Sequence, residues 1–370
     1  MVCRFTLLAL FVASSLSLFA QDPSFFQFYA NRIYLNPAFA GIEQGLTFAG
    51  VSRIQWANAD SGFKTYGASL ELQEPGINSG IGLNIFQDRQ GLAQLNTTSI
   101  GLTYAYTIKM KKHNIHFGLQ ARWIEKKVDW SKITFSDQLD PVYGAIYPTT
   151  AIPILDRITY SDFDAGVVWR FKSDIRLGKK RFRDTRHALG LAIHHLPNLI
   201  SDNAGNESFQ QLDTKVNPRI TLHAGSVIPF VWFANGSRTI AFSPTIKIDI
   251  QGEQIKQLKN NLQVLTVGGY LVYDGVYVGA LYQNKKLITD TKNTNAFILA
   301  FGAYIKRPGS KTKNTFVGFS YDANTTGVGT KAGGVYELAV RWNFTDAPGL
   351  FGAKERKRKS NKSLDCFRFF

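Results

Sequence analysis

The sequence predicts an all-β protein: a transmembrane, up-and-down antiparallel β-barrel of about 14 strands with an N-terminal plug-like segment. Three observations predict it. Segments near ten residues long alternate large apolar side chains with small or polar ones, and a strand turns successive side chains to opposite faces. The interleaved set carries charges, which would be ruinous in a sandwich core and suit a lumen. No apolar run of about 18 residues follows the first 20, whereas about ten residues is enough for a tilted strand to cross a bilayer.

The chain begins with Arg4, an apolar run over residues 5–18 and Ala20. That order predicts a secretory signal peptide over residues 1–20, with Gln21 as the mature start. A membrane-anchor helix would need a longer run. Residues 21–45 form an aromatic arm or plug without strand alternation: Phe25, Phe26, Phe28 and Tyr29, then Asn36-Pro37-Ala38-Phe39-Ala40-Gly41. Pro37 restrains Asn36 to extended or turn geometry, and Gly41 permits a tight turn. Such dense aromatics are costly to expose, so the segment is expected inside the lumen or under the barrel end.

Residues 46–345 are expected to form the barrel. Ile100, Leu102, Tyr104, Tyr106 and Ile108 alternate with Ser99, Gly101, Thr103, Ala105 and Thr107. The same rhythm recurs through Tyr66–Leu72, Ile81–Ile85, Ile115–Trp123, Phe163–Phe171 and onward to Tyr336–Trp342. Pro75-Gly76 reads as a turn and Asp274-Gly275 as a two-residue hairpin. Pro244 lies mid-strand and predicts a bulge or local unpairing. Trp123, Trp169 and Trp342 fall at strand ends, where interfacial girdles sit. The inward set includes Glu71, His116, Arg122, Asp164, Arg170, His194, Arg219, His223, Lys247, Asp249, Glu337 and Arg341.

An even strand count puts both termini on one side, expected to be the periplasm. The connections there are short, at residues 111–113, 274–275 and 307–313. Those on the other side are long, at residues 125–161, 196–216 and 323–333, the asymmetry of outer-membrane barrels. The formal charge of +16 is concentrated on the inner side. One cluster, residues 172–186, contains Lys179, Lys180, Arg181 and Arg183. The other is a basic periplasmic tail, residues 346–370, with Arg356, Lys357 and Arg358. Both are candidate docking sites for an acidic periplasmic partner. No nucleic-acid-binding signature accompanies the charge, so nucleic acid is not an expected partner.

The chemistry-bearing residues do not assemble into an enzyme. Cys3 and Cys366 leave one thiol in the mature chain, which excludes an internal disulfide. His194 and His195 are adjacent, and alternation would point them to opposite faces, so neither metal nor cofactor is expected. No G-x-S-x-G elbow accompanies His194, His223 and Asp164.

Gln21-Asp22-Pro23, with Phe25, Gln27 and Tyr29, and then Leu35-Asn36-Pro37-Ala38-Phe39-Ala40-Gly41, resembles the mature start of the PorP/SprF family. Gly318-Phe319-Ser320-Tyr321-Asp322 and Tyr336-Glu337-Leu338 resemble its closing hairpin. The basic tail goes beyond the family's common pattern. The resemblance implies a non-enzymatic outer-membrane barrel of the type IX secretion and gliding apparatus of Bacteroidetes. It would help export or anchor adhesin-like cargo. Its implied partners are outer-membrane lipid, a periplasmic secretion ring and peptidoglycan-associated lipoproteins. Asn36, Pro37, Ala38, Phe39 and Gly41 would be the plug motif. The Asn-Pro-Ala element is also similar to one near the N-terminal plug of the FadL family, transporters of hydrophobic small molecules. A dry apolar lumen would favour that alternative.

Overall fold

The computed structural model describes residues 22–59, 62–91, 93–150, 154–177, 180–200, 208–209, 216–232, 239–252, 262–286, 294–306, 313–324, 333–345, 347 and 349. The signal peptide, Lys179, both cysteines and the basic tail with Arg356, Lys357 and Arg358 lie outside the described residues.

Five strands open the chain: β1 (Leu46–Gln55), β2 (Phe63–Glu74), β3 (Ser79–Gln90), β4 (Leu95–Lys109) and β5 (His113–Lys127). A small ribbon follows, β6 (Leu139–Asp140) with β7 (Gly144–Ala145). Then come β8 (Arg157–Leu177), β9 (Lys180–His194), β10 (Arg219–Trp232), β11 (Thr239–Gln251) and β12 (Leu262–Tyr273). The last are β13 (Val276–Lys286), β14 (Thr294–Lys306), β15 (Lys313–Asn324) and β16 (Val335–Phe344). All except the ribbon form one closed, antiparallel, 14-strand barrel in which each strand pairs with its neighbours in the chain and β1 pairs with β16. Closure leaves no open edge, which a sheet in lipid requires.

The two-residue rhythm makes the two faces. On β4, Ile100, Leu102, Tyr104 and Tyr106 are exposed, Leu102 by 63%, while Ser99, Thr103 and Ala105 are buried. The other strands repeat this, and Trp123, Trp169 and Trp342 all face outward. Of the predicted inward set, every member except the half-buried Arg122 is buried. A soluble protein would not leave so many large apolar side chains exposed; lipid is the solvent that suits them.

Turn chemistry follows the residues. Asp274 and Gly275 take positive φ, 46° and 87°, and join Tyr273 directly to Val276. This is the two-residue hairpin that an Asp-Gly pair favours. At Pro244 the β10–β11 pairing lapses: Gly225 pairs with Thr245 and Ile228 with Phe242, with no pairs between. Pro244 has no N–H to donate. The bulge itself falls elsewhere, between Pro229 and Val231.

Strand lengths exceed the expectation of about ten residues, reaching 21 in β8. Residues 125–161 are less irregular than expected, because β5 runs on to Lys127 and β8 begins at Arg157. Lys180, Arg181 and Arg183 belong to β9 and extend the β8–β9 hairpin, where Leu177 pairs with Lys180 and Arg176 with Arg181.

The barrel has a turn end, with the connections after β2, β4, β8 and β12, and a loop end, with those after β5 and β9. The two chain ends, expected on one side, lie outside the described residues; the described segments nearest them lie at opposite ends of the barrel. Asp22 reaches Gln251 and Arg219, at the loop end, whereas β16 finishes at Phe344 at the turn end. The reason is that residues 22–45 run from one mouth to the other before β1 starts.

Candidate functional site

A set of buried polar contacts lies where residues 22–45 meet the inward face. At the loop end, the Asp22 carboxylate is 2.9 Å from His195 Nε2 and 3.1 Å from Arg219 Nη1. His195 Nδ1 is 2.7 Å from Asp162, and Arg122 bridges Asp162 and Asp164. Burial alone would lower the His195 imidazole, but the Asp22 and Asp162 carboxylates outweigh it and push it up to about 9. Burial likewise opposes charge on Asp22, yet His195 and Arg219 hold it well below the usual carboxylate range.

Further in, the Glu337 carboxylate accepts the N–H groups of Phe26 at 2.9 Å and Gln27 at 3.0 Å, and Arg53 Nε lies 3.3 Å away. Lys247 donates to Ser24 Oγ at 2.7 Å and pairs with Asp249 at 3.0 Å. Cations also lie over the segment's rings: Arg53 over Phe26, Lys247 over Phe28 and Arg219 over Tyr34, at 5.1–5.4 Å. Phe25 and Phe26 pack with Phe86, Tyr270, Tyr277 and Phe316, while Phe28, Tyr29 and Phe39 pack with Val168 and Ala188.

The Asn36–Gly41 motif makes the elbow of the segment. Asn36 is fully buried and extended, as a residue before proline should be, with φ −160° and ψ 119°. Its Oδ1 accepts the Ala38 N–H at 3.0 Å, capping the short 3₁₀ turn Pro37–Phe39. Its Nδ2 donates to the carbonyls of Val167 at 3.2 Å and Leu191 at 3.1 Å, tying the turn to β8 and β9. The wall makes room with glycine. A Cβ at Gly166 would fall on Asn36 Oδ1, and one at Gly118 on the Pro37–Ala38 backbone. Gly41, with φ 64°, lies against Gly80 and the backbone of Leu72 and Gln73. Arg32 then pairs with Glu43 at 2.8 Å.

Asn36, Pro37, Ala38, Phe39 and Gly41 are thus brought together. The side chains of Lys180, Arg181 and Arg183 are not among those described. Sequence reasoning missed Gly118 and Gly166, whose signal is a glycine at an inward strand position. It also separated His194 from His195. His195 follows the last residue of β9 with φ 59°, so alternation stops there and both rings are buried.

Two recesses open at the loop end, about 1000 and 1060 Å³ in volume including open solvent. Asp22, Pro23, Asp88 and Gln90 line both, and Arg122, Arg219, Arg53 and Lys285 stand in their walls. Their character is charged. Among the described residues, no cluster of His, Cys, Asp or Glu has the arrangement of a metal site.

A family model described as type IX secretion system membrane protein PorP/SprF matches residues 17–342. No curated protein sequence matches. Among solved structures, the chain is similar to the CymD monoaromatic hydrocarbon channel at 11% identity and a TM-score of 0.41, covering 85% of this chain and 93% of that one. It is also similar to the outer membrane protein Omp33 of Acinetobacter baumannii at 9% identity and a TM-score of 0.39, covering 82% and 100%. The TodX monoaromatic hydrocarbon channel, as a deletion mutant, matches at 10% identity and a TM-score of 0.37, covering 84% and 92%.

Proposed function

Because the chain belongs to the PorP/SprF family of type IX secretion system membrane proteins, we propose that it is a non-enzymatic outer-membrane component of that machinery. In this reading it helps to export or anchor adhesin-like cargo at the cell surface. The turn end faces the periplasm and the loop end faces the medium, in keeping with short periplasmic turns and longer outer loops. Residues 22–45 act as a plug that closes the lumen. The basic hairpin of β8 and β9 and the basic tail meet a periplasmic secretion ring and peptidoglycan-associated lipoproteins. The observation that carries the reading is the family match over nearly the whole barrel, supported by an inward face already occupied by the chain's own segment. A passage for hydrophobic small molecules has less support, since charged residues stand in the walls of the open recesses.

The cargo role is tested by replacing residues 128–156 with a short Gly/Ser turn. The expected result is a barrel that still assembles while cargo appears in the medium. Cargo retained on the cells at the wild-type level would refute the role of that loop.

A further inference from the structure

The outward wall of the barrel is uneven at one place. β8, β9, β10 and β11 enclose a groove of about 750 Å³ that includes open space at its mouth. Trp169, Leu189, Leu222 and Ile246 rise around it, and it reaches the backbone at Gly190. Ala224, paired with Leu189 on one side and Ile246 on the other, supplies only a methyl there.

One step toward the turn end, the surface changes from apolar to polar. Phe171, His187 and Ser226 occupy that level across three strands. The His187 ring lies 2.8 Å from Ser173 Oγ through Nε2 and 2.8 Å from Ser226 Oγ through Nδ1. It stacks on Phe171 at 4.7 Å, and the stack continues through Trp169 to His113. A neutral imidazole donates through one nitrogen and accepts through the other. One of the two serines therefore accepts from the ring and keeps its own O–H to give elsewhere. The lapse in β10–β11 pairing falls at this same level, opposite Pro244. Beyond it, nearer the turn end, Lys111 and Lys112 are exposed in the β4–β5 turn and Arg176 on β8, with Asp174 and Asp184 also exposed there, and the backbone N–H of Lys172 ties β8 to that turn through the Lys112 carbonyl at 3.1 Å.

An apolar slot that ends at hydroxyl donors and an aromatic stack, with more basic than acidic residues exposed beyond them, is complementary to an amphiphile with an anionic head. We propose that this groove binds one glycerophospholipid, with an acyl chain over Ala224 and Gly190 and the phosphate beside Ser173, His187 and Ser226. The site itself rests on the barrel fold alone. The choice of glycerophospholipid over lipid A rests on the orientation proposed above, which puts the turn end in the inner leaflet. The hydroxyl donors and the basic residues nearer the turn end make the phosphate the recognised group.

Native mass spectrometry of the full mature barrel tests this. The protein is reconstituted in vesicles of phosphatidylethanolamine and phosphatidylglycerol with equal parts of diacylglycerol and lipid A, extracted and stripped of bulk lipid by detergent exchange. Wild type is expected to retain one phospholipid per barrel. Ala224→Phe fills the slot and should lower the retained fraction at least tenfold. Ser173→Ala with Ser226→Ala keeps the slot but should abolish the preference for phospholipid over diacylglycerol. Both changes are on the outward face, and heat-modifiable gel mobility checks that the barrels remain folded. Equal retention by wild type and Ala224→Phe would overturn the proposal. So would the absence of retained lipid, or a preference for lipid A. Cargo retention is read in a separate assay, so failure here leaves the secretion reading standing.

Discussion

Asn36 gives the sharpest test of how the N-terminal segment is held. Asn36→Ala removes the acceptor of the Ala38 N–H and the donors to the Val167 and Leu191 carbonyls. An ordinary hydrogen bond nets about 0.5–1.5 kcal/mol, and a buried N–H left without a partner costs about 1–3 kcal/mol. The carbonyls keep their other lone pairs for the barrel, so most of the loss comes from Ala38 and totals about 3 kcal/mol. At about 1.4 kcal/mol per tenfold change, the elbow should open roughly 100-fold more often. Hydrogen exchange on the reconstituted mature protein reads this directly, because local opening sets the exchange of protected amides. The reporters are Phe39, Ala40 and Ile42, whose N–H groups bond to Asn36, Pro37 and Phe39 carbonyls. Their exchange should accelerate roughly 100-fold while the strand amides of β4 and β5 keep their rates. Acceleration below about threefold would refute the assignment of Asn36 as the clasp.

Three further outcomes follow from the same contacts. Gly166→Ala and Gly118→Val each place atoms where Asn36 and the Pro37–Ala38 backbone sit, so they should displace the elbow and raise ion conductance in planar bilayers; an unchanged conductance with normal assembly counts against plugging. The loop-end latch should be strongest between roughly pH 4 and pH 6.5 and weaken progressively up to about pH 9. His195 is raised, so its contribution of about 3 kcal/mol is complete below about pH 6.5 and fades as pH rises through about 9. Asp22 is depressed, so its contribution is present above about pH 4 and fades in acid. Limited proteolysis at residues 22–26 should accelerate on both sides of that window, and a flat profile would contradict it. Changing Lys180, Arg181 and Arg183, together with Arg356, Lys357 and Arg358, to Gln should reduce co-purification of periplasmic partners at low salt; full recovery would remove the docking role.

The barrel was legible because its signal is local and repeated. Each strand needs only its own alternation to declare two faces, so Ile100–Ile108 and Tyr336–Trp342 declare the same architecture independently. The inward charges on Glu337, Lys247 and Arg219 were legible for the same reason. Their partners were not. Glu337 meets the N–H groups of Phe26 and Gln27 across more than 300 residues of chain, and no periodicity encodes such a pairing. The path of residues 22–45 was hidden likewise. Its aromatics show that it must be covered, but only Asp22 at one mouth and Gly41 at the other show that it spans the barrel. His195 shows where the alternation rule ends: one residue in left-handed backbone re-aims a side chain that strand geometry would send outward.

Spin labels placed singly at each position from 99 to 106 on β4 test the membrane assignment most directly. Accessibility to oxygen, which partitions into lipid, should rise at 100, 102, 104 and 106 and fall at 99, 101, 103 and 105. A smooth profile, or one with a period near 3.6 residues, would contradict a wall with lipid on one face and the chain's own polar interior on the other.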